Sequence, residues 1–464
     1  MDTQPEYSLV QVRFPMRIAL GVLLTLPLGA LAADRIVAPF ASVQPVLEAL
    51  ASELPAELKD ADEAKWRAWA QREDIAIRAR LERGALDSMV NLLLFGTSFT
   101  TQPRIQSQEM VDASENAILQ SRLRDLLQGL RTPGKNERLN FLRNLLGSQG
   151  MDPDTSAGYE KTRVFVWENL ERVIQEEITF AQRIDEAQRQ SDRALGLSKF
   201  SRVFRDRGIS LDTTILSSFG IDEALRDMKN RGALRNGQIT RVAVIGPGLD
   251  FIDKGSGYDY YPQQTLQPFA LYDSLVRLGL AKAGMVDVTV FDISSRVLDH
   301  LRRARERVKA GGSYVVQLPR EARPWVSEAV QYWRSFGSQI GAAVAPIEPP
   351  GTLKGLETRA VRIRPAVVLS CAPVDLDVVF DRLATPAKER FDLVVATNIF
   401  GYYDTLEQAL MLQNVSTLLK PGGFLLSNNW LPQLPEVPMH AVGYTSVRYA
   451  EGAAAGDNIF WWKR

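Results

Sequence analysis

The stretch from Arg241 to Asp250 constrains the fold of this chain more than any other. Its sequence, RVAVIGPGLD, sets a short run of apolar, mostly β-branched residues directly before Gly246, Pro247 and Gly248. Such a run is typical of a buried parallel strand, and glycines after it allow a tight turn that a ligand can approach closely. The pattern predicts an α/β fold with a nucleotide-type site at the end of this strand.

The ligand at this turn is not expected to be NAD. A dinucleotide fingerprint carries a third glycine, here at position 251, that lets the next helix pack closely on the strand. Phe251 stands there instead. A different nucleotide is therefore favoured.

Two further strands are predicted to leave polar groups at their carboxyl ends. Val286–Asp292 ends on a carboxylate, and Phe391–Asn398 runs into Ile399-Phe-Gly-Tyr-Tyr. In a doubly wound sheet, an acidic residue at the tip of the strand beside the glycine turn can accept hydrogen bonds from a ribose diol. Asp292 is therefore the best single candidate for a ligand contact, with Ile293 beside it.

The rest of the C-terminal half is predicted to form further strands of the same sheet and the helices that connect them. A helix is expected from about Thr405 to Leu419, then a strand in Lys420-Pro-Gly-Gly-Phe-Leu-Leu-Ser, and the tail from Val442 predicts an antiparallel hairpin. Gly311–Leu318 and Arg359–Leu369 are predicted to be further strands of this sheet. An extra helix is expected between them.

The order of these motifs resembles that of the class I S-adenosylmethionine-dependent methyltransferases, over roughly Ile221 to Arg464. The resemblance implies a Rossmann-like, doubly wound and mostly parallel sheet with a terminal antiparallel strand. It also implies S-adenosyl-L-methionine as cofactor and a small molecule or a protein as methyl acceptor. The chain departs from the family's usual pattern in two places. Val244 stands where the family usually has an acidic residue near the start of the glycine motif, and Leu249-Asp250 stand where it has a small residue after the motif.

The resemblance also implies a set of cofactor contacts. The glycine turn would face the amino-acid part of the cofactor, Asp292 the ribose, and Asp375, after the third strand, the adenine amine. Asn398 is followed by Ile-Phe-Gly rather than Pro-Pro-Tyr, which disfavours a nucleobase amine as the acceptor. The predicted cofactor-binding residues are Gly246, Pro247, Gly248, Asp250, Asp292, Ile293, Asp375 and Asn398.

The loop after the glycine turn, Asp250–Gln264, is dense in glycine, tyrosine and carboxylates. Because it starts at the carboxyl edge of the predicted sheet, it could cover the cofactor as a lid. The alternative is a surface loop whose tyrosines pack on the helical part of the chain. The predicted substrate-facing residues are Asp250, Asp253, Tyr258, Asp259, Tyr260, Tyr261 and Tyr402, and no catalytic residue is assigned.

Charge and composition exclude several other classes. With 55 basic and 55 acidic residues, the chain has no net charge that would favour nucleic acid as a partner. Cys371 is the only cysteine, so an intramolecular disulfide or a cysteine-based metal site is excluded. His300 and His440 are too few for a histidine-based zinc site or a hydrolase triad, and His300 is expected to be solvated on a charged helix.

The N-terminal segment, residues 1–33, has the three parts of a secretory signal. Arg13 and Arg17 precede the uncharged run Ile18–Ala33, which ends in Ala-Leu-Ala. The run is about 16 residues long, short of the ~20 residues that span a bilayer. A cleaved signal peptide, a short signal anchor and a buried core helix all remain open, and the first two predict an exported or membrane-associated protein.

Residues 43–232 are predicted to be an all-α domain that precedes the Rossmann domain, 233–464. Helical patterns begin at Asp62, continue through Ala85–Phe95 and recur from Val166. The hydroxyl-rich run after Phe95 could line a ligand cleft or cap the helix. Because the cofactor is made in the cytosol, an exported chain would point instead to a non-catalytic ligand- or partner-binding protein of the cell envelope.

Overall fold

A computed structural model describes residues 35–105, 117–189, 208–252, 258–321, 325–384, 386–451 and 456–464, with only the backbone of residues 177 and 180–189. The predicted signal peptide or anchor, residues 1–33, lies outside the described residues, as does Asp253. None of the described helices is both long and apolar enough to cross a membrane.

The N-terminal part of the described chain is helical. A single helix, Glu63–Phe95, joins the two patterns that the sequence indicated on either side of Gly84. It begins at Asp62, whose side chain accepts a hydrogen bond from the amide of Lys65, and it ends at Gly96. The elements are β1 (Arg35–Val37), α1 (Phe40–Ala49), α2 (Glu63–Phe95), α3 (Ala117–Arg131), α4 (Glu137–Ser148) and α5 (Ser156–Arg189).

The C-terminal part alternates strands and helices, as predicted. The strands Arg241–Ile245, Asp287–Asp292 and Phe391–Ala396 are largely buried, which explains their apolar runs. The elements are α6 (Ile215–Asn230), β2 (Arg241–Ile245), α7 (Gln267–Arg277), β3 (Asp287–Asp292), α8 (Ser295–Lys309), β4 (Tyr314–Arg320), α9 (Ser327–Ser335), β5 (Gly341–Val344), β6 (Glu357–Ile363), α10 (Pro365–Ser370), β7 (Cys371–Asp375), β8 (Asp381–Leu383), β9 (Phe391–Ala396), α11 (Thr405–Leu418), β10 (Leu419–Ser427), β11 (His440–Arg448) and β12 (Gly456–Lys463).

Seven strands form the main sheet in the order β11-β12-β10-β9-β2-β3-β7. Strands β7, β3, β2, β9 and β10 are parallel, and β12 pairs antiparallel with both β10 and β11. The order reverses direction at β2, so the connections that follow β2 and β9 leave on opposite sides of the sheet. Ligands of doubly wound sheets bind in the crevice at such a point.

Two predicted strands were assigned to the wrong sheet. β4 and β6, which correspond to Gly311–Leu318 and Arg359–Leu369, pair antiparallel with each other and form a separate three-stranded sheet with β5. The extra helix between them is α9, as predicted. The third parallel strand of the main sheet is Cys371–Asp375, because its register continues that of β3.

The helical part packs directly on the α/β part. The buried Arg138 of α4 donates hydrogen bonds to the carbonyls of Phe251, Asp259 and Tyr261. The described residues from Arg35 onward form one compact unit, and α6 belongs to the core of the main sheet. The division into domains 43–232 and 233–464 stays a prediction.

His300 is partly buried rather than solvated, which corrects the expectation from the sequence. Its Nε2 atom lies 2.9 Å from the hydroxyl of Tyr314, and the two rings meet edge to face. Burial, helped by the neighbouring Arg303 and Arg307, lowers the pKa of His300 to about 4. The charged helix pattern missed this because β4 packs on one side of α8.

Gly84 is expected to be required where α2 packs against Ile209. A Cβ atom at Gly84 would lie 2.0 Å from the carbonyl oxygen of Ile209. We expect Gly84→Ala to lower the free energy of unfolding by about 1–3 kcal/mol through overpacking, although alanine favours a helix. Urea unfolding measures the change.

Gly147→Ala in α4 is the matched control, because a Cβ atom there would meet nothing within 4 Å. That variant should be neutral or more stable by up to ~1 kcal/mol. An equal change in the two variants would contradict the close contact between α2 and Ile209.

Candidate functional site

A narrow cavity of ≈ 50 Å³ lies at the carboxyl ends of β2, β3, β7 and β9. It brings together five of the residues predicted from the sequence, which are Gly246, Gly248, Asp292, Ile293 and Tyr402. The other lining residues are Leu81, Ile209, Ser210, Leu211, Ile245, Phe291, Leu376, Asp377, Val378, Ile399 and Tyr403.

The glycine turn after β2 has the backbone shape that the sequence predicted. Gly246 and Gly248 have φ angles of 60° and 74°, in the left-handed region that glycine favours. The space beside them is occupied by the chain itself. A Cβ atom at Gly246 would lie 2.1 Å from Cδ1 of Ile399, and one at Gly248 would lie 2.4 Å from the carbonyl oxygen of Leu211.

Asp292 lies at the tip of β3, next to the glycine turn. Its carboxyl is 6% exposed, lines the cavity, and accepts a hydrogen bond of 2.8 Å from the amide of Ser294. Burial raises the pKa of Asp292 to about 7, against the opposing effect of the amides of Ser294 and Ile293. The group is therefore poised between its neutral and charged forms near neutral pH.

The acidic residue that faces the cavity after the third strand is Asp377 rather than Asp375. Asp375 is half exposed and pairs with Arg78 at 2.9 Å and with Arg35 at 3.3 Å. Asp377 is 1% exposed and lines the cavity. One of its oxygens accepts from the amide of Val379, and burial with the neighbouring Asp74 carboxyl raises the pKa of Asp377 well above its usual range.

Asp377 was not predicted from the sequence, although it is also an aspartate and lies only two residues beyond Asp375. What the sequence lacked was the direction of each side chain, because Arg35 and Arg78 come from β1 and α2, far away along the chain.

Helix α2 runs past this edge of the sheet and encloses the cavity. Arg78 donates to the carbonyl of Ile293 at 3.0 Å and Arg80 donates to that of Tyr402 at 2.8 Å. The amide of Ile209 donates to the carbonyl of Arg80, so the segment before α6 is held between α2 and the glycine turn. Nothing in the sequence pattern of α2 indicated this position.

The other predicted site residues lie outside the cavity lining. Pro247 and Asp250 are buried, and Asp250 accepts a hydrogen bond of 2.7 Å from the hydroxyl of Tyr261. Asn398 is exposed at the end of β9 and has a φ angle of 59°. Their roles as cofactor contacts stay predictions.

The described end of the loop after the glycine turn, residues 258–264, which we call the tyrosine loop, packs on the helical part. Asp259 accepts hydrogen bonds from the amides and hydroxyls of Thr97 and Ser98 in the run after Phe95. The guanidinium of Arg104 lies 5.2 Å from the ring of Tyr258. These contacts agree with the alternative to a lid, in which the loop packs on the helical part of the chain.

A second cavity, of ≈ 490 Å³, lies where the tyrosine loop meets the helical part. Tyr260 and Tyr261 line it, with Ser98, Lys135 and Glu348 among the other residues. Burial and the nearby Glu348 raise the pKa of Tyr260 to about 12. Tyr260 and Tyr261 thus lie outside the cavity at the glycine turn, and their role in substrate binding stays a prediction.

Several methyltransferases are among the solved structures to which this chain is similar. The glycopeptide N-methyltransferase MtfA complexed with S-adenosyl-L-methionine is 13% identical, with 53% of this chain and 93% of that chain covered and a TM-score of 0.26. The mitomycin 7-O-methyltransferase MmcR is 12% identical, with coverages of 86% and 99% and a TM-score of 0.29. The magnesium protoporphyrin IX methyltransferase ChlM from Synechocystis PCC 6803 is 11% identical, with coverages of 54% and 80% and a TM-score of 0.26.

No protein-family model matches the chain, and no curated protein matches it. At these identities and TM-scores, the likeness to solved structures carries no conclusion about activity. The main sheet is mostly parallel and has β12 antiparallel beside β10, as the resemblance implied. The C-terminal part has a Rossmann-like α/β fold.

Asp292 is expected to make the protein less stable as the pH rises from about 4 to 7. Its folded-state pKa of about 7 lies above the ordinary value of 3.8 for aspartate, so the unfolded chain ionises first and is favoured in this range. Asp292→Asn should therefore gain stability over the wild type between these pH values, by at most about 4 kcal/mol, and the difference should then level off.

Urea unfolding at intervals from pH 4 to pH 8 measures this difference. Asp287→Asn, at the exposed start of the same strand, is the control and should show no such trend. A stability difference for Asp292→Asn that does not change with pH would contradict the raised pKa.

Proposed function

We propose that this protein binds S-adenosyl-L-methionine and transfers its methyl group to an acceptor. The observation that carries the proposal is the buried Asp292 carboxyl, which lines a cavity at the glycine turn where the sheet order reverses. A carboxylate in this place can accept two hydrogen bonds from a ribose diol. Fold alone would not suffice, because one fold hosts many activities.

The residues at one end of the cavity suit a nucleoside. Asp292 would hold the ribose, and the apolar side chains of Ile293 and Leu376 would lie against the base. Asp377 is buried and its raised pKa favours the protonated form, which donates a hydrogen bond. Ring nitrogens of adenine are acceptors, so Asp377 is the candidate that would recognise the base.

The other end would hold the amino-acid part of the cofactor, against Gly246 and Gly248. When bound, the cofactor supplies a methyl group that its sulfonium already activates. The chain then has to align the acceptor and keep water out. The enclosed cavity and the cover by α2 suit the second of these tasks.

The acceptor is proposed to be a small molecule or a protein. Tyr402 is the one predicted substrate residue that lines the cavity. The balance of acidic and basic residues gives no support for nucleic acid. Association with a membrane through residues 1–33 is a separate proposal, which a C-terminal reporter fusion would test by its compartment.

A second function has one specific observation in its favour. Ile399 and Leu211 fill the space beside the two glycines, and the cavity of ≈ 50 Å³ is far below the roughly 300–1,000 Å³ of ligand pockets. A non-catalytic descendant of the fold that binds a ligand or partner elsewhere would show the same filling.

Calorimetry on the full-length chain separates the two functions. We expect S-adenosyl-L-methionine and its demethylated product to bind, and Asp292→Ala to weaken binding by about 1–3 kcal/mol through the lost ribose hydrogen bonds. Asp287→Ala, on the exposed end of the same strand, is the control and should bind as the wild type does. Absence of binding at millimolar cofactor would leave the non-catalytic function.

A further inference from the structure

Asn398, at the carboxyl end of β9, holds an unusual backbone conformation. Among the described residues it is the only one besides glycine with a positive φ, at 59°. Asparagine tolerates this region better than most residues, yet the conformation still has to be held by its surroundings. Such positions often occur at functional sites.

Asn428, which follows β10, holds Asn398 in this conformation. The amide of Asn398 donates to Oδ1 of Asn428 at 2.8 Å, and Nδ2 of Asn428 donates to Oδ1 of Asn398 at 2.6 Å. A longer contact of 3.4 Å joins Nδ2 of Asn398 to the hydroxyl of Ser217. The pair thus ties the turn after β9 to the neighbouring strand.

The next residue, Ile399, is directed at the glycine turn. A Cβ atom built on Gly246 would lie 2.1 Å from Cδ1 and 3.0 Å from Cγ1 of Ile399. The side chain therefore occupies the space that the missing side chain of Gly246 leaves open. It does so at the end of the cavity away from Asp377, which follows β7 at the far side of β3.

We propose that Ile399 is a gate over the amino-acid end of the cofactor site, held shut by the amide pair of Asn398 and Asn428. This proposal rests on the proposed function and deepens it. In the closed state Asp292 and Asp377 line the nucleoside end, while Ile399 fills the space beside Gly246 at the other end. Cofactor binding then requires Ile399 to leave Gly246.

The gate predicts a measurable change in the affinity of the protein for its cofactor. A protein whose competent state is only a fraction of the population binds with a dissociation constant raised by the inverse of that fraction. Ile399→Ala removes the atoms that fill the space beside Gly246, and Asn428→Ala removes the hydrogen bonds that hold the turn. Both variants should raise the open fraction.

The test compares two ligands by calorimetry on the full-length chain. S-adenosyl-L-homocysteine carries the amino-acid part, and adenosine lacks it. We expect Ile399→Ala to bind S-adenosyl-L-homocysteine on the order of 10-fold more tightly than the wild type, as the closed-state penalty is lost. Adenosine, which needs only the end with Asp292, should change by less than about threefold on the same reasoning.

A double-mutant cycle tests whether Asn428 acts through Ile399. If it does, Asn428→Ala tightens binding in the wild-type background and has no further effect in the Ile399→Ala background. Additive effects would show that Asn428 only supports the fold. Should Ile399→Ala fail to fold, Ile399→Val removes one methyl group and is expected to shift affinity in the same direction.

The outcomes separate the gate from the proposed function. Equal affinity of wild type and Ile399→Ala for S-adenosyl-L-homocysteine overturns the gate and leaves cofactor binding intact. An equal gain for both ligands also overturns it, because that result indicates general loosening. Failure of every variant to bind either ligand overturns the proposed function and the gate with it.

Discussion

The position of helix α2 across the carboxyl edge of the sheet depends on hydrogen bonds from the guanidinium of Arg78. This group donates to the carboxylate of Asp74 in its own helix at 3.0 Å, to that of Asp375 at the end of β7 at 2.9 Å, and to the carbonyl of Ile293 after β3 at 3.0 Å. One planar group with several donors can join three acceptors in this way, which a lysine could not do as well. A helix from the N-terminal part is thereby fixed across the ends of two parallel strands.

Closure has an electrostatic consequence for the carboxyl groups beneath the helix. Burial raises the pKa of Asp292 to about 7 and that of Asp381 to about 6, and it also raises that of Asp377 well above its usual range. Each of these groups costs stability when charged, since water no longer solvates it. Groups perturbed in this way, in a cavity at the ligand-binding edge of a doubly wound sheet, are typical of functional sites.

The same closure explains why the two glycines do not stand open. Gly246 is packed by Ile399 and Gly248 by the backbone of Leu211, so the turn is used by the chain itself in this conformation. A glycine turn is therefore compatible both with a site that opens for a ligand and with one that has lost its ligand. The amide pair of Asn398 and Asn428 bears on the first possibility, because it holds the turn that directs Ile399 at Gly246.

The sequence by itself determined the strands β2, β3, β9 and β10, the polar ends of β3 and β9, and the terminal hairpin, because apolar runs and turn residues are local signals. It also placed Gly246, Gly248, Asp292 and Ile293 at one edge, since parallel strands end together. Only the tertiary structure decided which sheet β4 and β6 join, that Asp377 rather than Asp375 faces the cavity, and that α2 and Ile399 close it. Those outcomes depend on contacts between residues hundreds of positions apart, such as Arg78 with Asp375, which no local pattern encodes.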